Sequence, residues 1–244
     1  MPIALVTGAN RGLGFATARA LARHGMCVLL GGRDPIRTEA AAAELRTEGL
    51  QVGALPLDVT DPDSVAAAAA HATDRHGRLD VLVNNAGVLP EATDTRDHAF
   101  ADAAMFRRTY ETNVFGTVAV TDAFLPLLHR SVMGRIVNVS STMGSLQDQC
   151  DPKSPYYGMI LPAYQSSKAA LNAVTVALAK KLAGTPITVT SVCPGWVQTD
   201  LAPGNRERAP LTPDEAARIV VTAATLAADA PSGTFIDSAG VVAW

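Results

Sequence analysis

Ile3-Ala4-Leu5-Val6-Thr7-Gly8-Ala9-Asn10-Arg11-Gly12-Leu13-Gly14-Phe15 decides the fold of this chain. A short, unbroken apolar run opens it, as expected of a strand covered on both faces in a parallel sheet. Gly8, Gly12 and Gly14 then let the chain turn sharply and let its backbone approach a ligand closely. An alanine-rich stretch follows and reads as a helix. The N-terminus of that helix would present free N–H groups and a positive dipole end to a pyrophosphate. The spacing differs from the common G-x-G-x-x-G fingerprint, and bare turn chemistry would also place glycines here. Its position between a first strand and a helix favours phosphate binding. Gly8, Asn10, Arg11, Gly12, Leu13 and Gly14 are the candidate contacts.

The same alternation continues outward along the chain. Residues 3–7, 26–31, 51–57, 79–84, 134–140, 186–193 and 234–237 read as strands. Segments near 12–24, 35–49, 62–76, 101–130, 162–183 and 213–228 read as helices. Asp34-Pro35 and Asp61-Pro62 place a capping carboxylate before a proline at the first helical position. Thr212 and Glu215 form a capping box. Strand and helix in alternation imply right-handed crossovers. The expectation is an α/β, doubly wound Rossmann fold: a seven-stranded, mostly parallel sheet with helices on both faces, in one domain over residues 1–244. Two stretches, 143–162 and 197–211, escape the pattern. Both leave strand ends on the side where open α/β sheets bind ligands, so they are candidate walls of a pocket.

Composition narrows the function classes. Hydrophobic residues at 48% and charged residues at 18% allow a sizeable core and argue against disorder. A formal net charge of -3, with no basic run longer than two residues, argues against a nucleic-acid partner. Cys27, Cys150 and Cys193 make neither a disulfide framework nor a zinc site, and the five histidines lack ligand spacing, so no metal is expected. The N-terminus lacks a secretory pattern and no apolar run nears the ~18 residues of a membrane span. A cytoplasmic enzyme is the expectation.

The second strand ends in Leu30-Gly31-Gly32-Arg33-Asp34. An NAD site usually offers a carboxylate here to the adenosine ribose. Arg33 would instead bind a 2′-phosphate in bidentate fashion, and Arg11 could add a second charge. Asp34 then reads as the helix cap, turned away from the ribose. These residues point to NADPH/NADP+. The alternatives are that Arg33 is a solvated turn residue, or that Asp34 faces the ribose in an NAD-linked dehydrogenase.

Tyr164-Gln165-Ser166-Ser167-Lys168 begins a predicted helix, and positions i and i+4 share a face. A tyrosine is a poor base at neutral pH, and a nearby ammonium would lower its pKa. Of the four tyrosines, Tyr164 alone has lysine four places on; Tyr110, Tyr156 and Tyr157 have Val114, Ile160 and Leu161 there.

Thr7-Gly8-x-x-x-Gly12-x-Gly14, Asn84-Asn85-Ala86-Gly87, Ser141, Tyr164-x-x-x-Lys168 and Pro194-Gly195 resemble the short-chain dehydrogenase/reductase family, in its order and over nearly the whole chain. The resemblance implies that Tyr164 exchanges the proton with the substrate oxygen. Lys168 would lower its pKa and hold the nicotinamide ribose, Ser141 would bind the substrate oxygen, and Asn113 would support a proton relay through water. Ser141 is preferred to Ser140 because it lies three residues before Gly144. The resemblance further assigns Asp58 and Val59 to the adenine side. Asn85, Ala86 and Gly87 would line the cofactor, and Pro194, Gly195, Val197 and Thr199 would hold the carboxamide.

The 23-residue interval from Ser141 to Tyr164 is about twice the family's usual spacing. This insertion, Pro194-Gly195-Trp196-Val197-x-Thr199-Asp200 and the tail ending in Trp244 resemble the NADPH-dependent carbonyl reductase branch. There the insertion covers a dimerisation face; this one is shorter, leaving monomer or homo-oligomer open. The leading expectation is a reductase of a ketone or aldehyde, or the reverse on an alcohol. Met143, Tyr157, Trp196 and Leu201 would form an apolar pocket with Tyr164 and Ser141 at its polar end. A non-catalytic dinucleotide sensor on the same fold is the rival.

Overall fold

The computed structural model describes residues 1–96 and 98–244. The chain runs β1 (Ile3–Thr7), α1 (Gly12–Arg23), β2 (Cys27–Gly32), α2 (Pro35–Thr47), β3 (Val52–Pro56), α3 (Pro62–His76) and β4 (Val81–Asn84). Then come α4 (Ala103–Tyr110), α5 (Thr117–Leu128), β5 (Gly134–Val139), α6 (Leu146–Cys150), α7 (Pro162–Lys181) and β6 (Ile187–Val192). Last are α8 (Asn205–Arg208), α9 (Pro213–Ala224), β7 (Thr234–Asp237) and β8 (Gly240–Val241).

The strands form one sheet in the order β3-β2-β1-β4-β5-β6-β7-β8. All pairings are parallel except β7 with β8. Alternation along β1 builds two cores. Ala4 and Val6 pack under α1, α2 and α9 with Leu21, Leu45 and Val220. Ile3 and Leu5 face the other layer, with Val65 of α3 and Phe124 of α5. Strands buried on both faces are why the apolar runs are continuous rather than alternating.

The sheet has eight strands, not the seven expected. Asp237 Oδ1 accepts hydrogen bonds from Ala239 N and Gly240 N at 2.7 and 3.1 Å. Gly240 takes φ +130, and the chain folds back so that Val241 pairs with Ile236. A two-residue strand behind a side-chain-stabilised turn leaves too short an apolar run to read from sequence. The expected helix 101–130 is also interrupted. A π-helical turn, Glu111–Gly116, joins α4 to α5. A Cβ at Gly116 would lie 2.8 Å from Val59 Cγ2, so the wide turn seats directly on the loop after β3. Such turns often occur at functional sites, and this one carries Asn113.

Candidate active site

Strand order reverses between β1 and β4, so the loops after these strands diverge and open a crevice. Thr7 ties the two loops together: its Oγ1 accepts from Asn85 N at 3.0 Å and Ala86 N at 2.9 Å. Asn85 Nδ2 donates back to the carbonyls of Thr7 and Gly8 at 2.8 and 3.3 Å. Gly8 sits at φ +65, with its missing Cβ 3.1 Å from Ala86 Cα. The Asn85 side chain therefore builds the cradle by holding the glycine loop.

This cradle suits a pyrophosphate. Asp34, Asp61, Asp102 and Thr212 cap α2, α3, α4 and α9 through side-chain hydrogen bonds. At α1 the cap residue is Arg11, with no side-chain cap and no acidic residue in the first turn. Its positive end is thus left for a ligand anion. A Cβ at Gly14 would fall 2.4 Å from Gly8 O and 2.5 Å from Asn85 Nδ2, both parts of the cradle. Gly14→Ala is therefore expected to destabilise the protein by about 1–3 kcal/mol and weaken dinucleotide binding. Urea unfolding and a fluorescence titration check both.

After β2, Asp34 caps α2 as expected from its proline. Its Oδ1 accepts from Ile36 N and Arg37 N at 3.0 and 3.1 Å, while the Arg33 side chain is exposed. Arg11 is held differently: Nη1 donates to Asp200 Oδ2 at 2.8 Å, and Asp200 also binds Arg206. This ion pair joins the glycine loop to the segment after β6, and Thr199 Cγ2 lies 3.3 Å from a Cβ built on Gly12. Asp58 stands at the end of β3, with one oxygen accepting from Thr60 N and Oγ1; Val59 beside it is buried.

The catalytic candidates converge on the same crevice. Tyr164 and Lys168 are 7% and 5% exposed, and Lys168 Nζ lies 5.6 Å from the Tyr164 ring centroid. Nζ donates to Val139 O, at the end of β5, at 2.8 Å. A Cβ on Gly87 would be 3.8 Å from Nζ and 3.5 Å from Asn113 Oδ1. Asn113 Oδ1 accepts from Val88 N at 2.8 Å, and its Nδ2 donates to Val88 O and Ser167 Oγ at 3.0 and 3.1 Å. Ser141 begins the turn after β5, beside the Tyr164 phenol, and its Oγ accepts from Met143 N at 3.1 Å. Gly144 makes that approach possible, since a Cβ there would lie 2.6 Å from the Lys168 carbonyl carbon. Ser140 points elsewhere, donating to Asn172 Oδ1 at 2.6 Å beneath the site.

Burial raises the Tyr164 pKa, a Cys193 thiolate would add to the rise, and the Ser141 hydrogen bond opposes it. Burial also lowers Lys168, to about 8. Desolvation is the largest cause for both residues, because burial disfavours a phenolate as much as an ammonium. Burial thus favours the protonated phenol. Lys168 carries a stability consequence. Its folded pKa lies below its ordinary 10.5, so between about 8 and 10.5 the unfolded chain binds the extra proton. Stability contributed by this group therefore rises with pH across that window. Wild type is expected to gain on Lys168→Met between these limits, read as melting temperature against pH.

The substrate-side candidates sit on the two irregular stretches. Met143 is half-buried beside Ser141, whereas Tyr157, Trp196 and Leu201 are exposed at 52%, 49% and 38%. Trp196 Nε1 donates to Asn205 Oδ1 at 2.9 Å, which orients the indole. Gly195, after Pro194, takes φ +81. Val197 then bridges to Leu211, closing 197–211 into a compact loop that includes α8. A polar ladder under the site escaped the sequence reading. Asn84 Nδ2 donates to Thr121 Oγ1 and Asn138 Oδ1, and Asn138 Nδ2 donates to Thr175 Oγ1, which contacts Ser191 Oγ. Its members lie on five separate elements, so spacing along the chain carries no sign of it. Asp94, His98 and Asp102 cluster on the surface, but Arg96 donates to both aspartates.

The family described as short chain dehydrogenase matches residues 2–210. The chain is 36% identical to the short-chain dehydrogenase anuI of Penicillium roqueforti, covering 92% of this chain and 88% of that protein. It is 34% identical to the NADPH carbonyl reductase 1 of Mus musculus, covering 100% and 98%. Among solved structures, NADPH-bound carbonyl reductase from chicken fatty liver superimposes with a TM-score of 0.85 at 29% identity, covering 100% of both chains.

Proposed function

The chain belongs to the short-chain dehydrogenase family and is an NADP(H)-dependent oxidoreductase; on that premise we propose that it reduces a ketone or aldehyde, with Tyr164 giving the proton to the carbonyl oxygen. One observation carries this reading: the buried Tyr164 phenol has Ser141 beside it and Lys168 Nζ 5.6 Å from its ring, and that Nζ lies against Gly87 of the loop after β4.

Bound NADPH supplies the hydride. Gly8, Gly12, Gly14 and the free end of α1 would hold its pyrophosphate, and Arg33 would pair with its 2′-phosphate. Burial keeps the Tyr164 proton in place at neutral pH, the form that serves reduction. Ser141 shares the substrate oxygen with Tyr164 and stabilises the charge that develops on it. Lys168, held by Val139 O, keeps a cation behind the phenol below about pH 8 and favours the phenolate left when the proton departs. Asn113 braces the loop after β4 against α7. Met143, Tyr157, Trp196 and Leu201 give the entrance an apolar character suited to a carbonyl compound with a hydrophobic body. The whole chain, residues 1–244, acts as one domain.

Incubation with NADPH and a panel of aliphatic, aromatic and cyclic ketones and aldehydes tests the proposal. Loss of NADPH absorbance, with the matching alcohol as product, supports it. NADPH that binds but is consumed with no member of the panel defeats it.

A further inference from the structure

We infer that Glu91 is the positioning residue of Tyr164: from the loop after β4, its carboxylate supplies the cap that α7 lacks and fixes the turn carrying the phenol. The inference rests on the reading of Tyr164 as the proton donor.

Helix α7 begins badly by local rules. Leu161 occupies its cap position with no side-chain hydrogen bond, and Pro162 follows, without an N–H. The first free donors are therefore the amides of Ala163 and Tyr164. Both are taken by Glu91, Ala163 N donating to Oε1 at 2.9 Å and Tyr164 N to Oε2 at 2.7 Å. One amide per oxygen fixes rotation of the turn as well as its distance. The carboxylate also lies at the positive end of a 20-residue helix, where an anion is favoured. By contrast α2, α3, α4 and α9 draw their caps from their own flanking residues.

The other side of the Tyr164 residue is held from the same loop. Ser167 Oγ donates to Tyr164 O at 2.7 Å and accepts from Asn113, which clamps Val88 through both backbone groups. Residues 88–91 thus pin Tyr164 at its N–H through Glu91 and at its C=O through Asn113 and Ser167. Ser141 meets the phenol from a different loop, so the spacing of the two hydroxyls depends on where this turn is held. Among the described residues the Glu91 carboxylate hydrogen-bonds backbone amides, and it acts through Tyr164.

The test uses Glu91→Ala, Glu91→Gln and the double variant Glu91→Ala/Leu161→Asp, which returns a local cap. Glu91→Ala is expected to lower kcat by about 10- to 100-fold, as a misplaced proton donor does, with the NADPH dissociation constant unchanged. Hydrogen exchange at the Ala163 and Tyr164 amides should accelerate in the same variant. Glu91→Gln, keeping one acceptor, should fall between, and Leu161→Asp should restore both kcat and protection. Wild-type kcat and exchange in Glu91→Ala overturn the inference. So does a loss shared equally by NADPH binding, or one that Leu161→Asp leaves uncorrected. A wild-type protein inactive on every carbonyl defeats the reading of Tyr164 itself, and Glu91 is then judged as a cap by its exchange rates alone.

Discussion

Tyr164→Phe is expected to lower kcat for carbonyl reduction by about 10²–10⁴-fold, the usual weight of a positioned proton donor, while NADPH binds as before. The phenylalanine ring fills the space of the phenol, and the helix remains held by Glu91 and Gly144. Only the phenol hydroxyl and its proton disappear. Single-turnover kinetics with saturating NADPH, beside a fluorescence titration of NADPH, separates chemistry from binding. Wild-type turnover in this variant would remove Tyr164 from the mechanism.

Arg33→Asp should produce the second large change, inverting the preference between NADPH and NADH. Asp34 is already committed to the amides of Ile36 and Arg37, which leaves Arg33 as the exposed charge at the end of β2. A charge-assisted bond to phosphate contributes about 1.5–3 kcal/mol, and a carboxylate in its place adds repulsion. The ratio of dissociation constants should therefore swing by about a hundredfold or more. Arg11 is a poor substitute because Asp200 already engages it. An unchanged ratio would mean that the 2′-phosphate is bound elsewhere.

Most strands were legible because a parallel sheet buries both faces, and residues such as Ala4, Leu5 and Val6 then form runs that no loop imitates. The glycine loop was legible because close approach leaves no room for a Cβ, as at Gly14. The capping of α2 by Asp34 was legible because the bond spans only two or three residues. The break at Glu111–Gly116 was not, since a π turn and an α turn use the same kinds of residue. The fate of the Asn85 side chain was also hidden, because its partners lie 77 and 78 residues away.

From the sequence alone came the strand–helix order, the phosphate loop, the Tyr164–Lys168 pair and the bias toward NADPH. These depend on covalent neighbours and short-range periodicity, which the linear order of residues contains. Tertiary structure alone decided the ionisation and the placement of that pair. Burial, which no residue has until the chain has packed, raises the Tyr164 pKa and brings Lys168 to about 8. Glu91 became the cap of α7 in the same way, since 72 residues of chain separate its carboxylate from the first amide it binds. Such a bond is specified by packing of the sheet, and no local pattern records it.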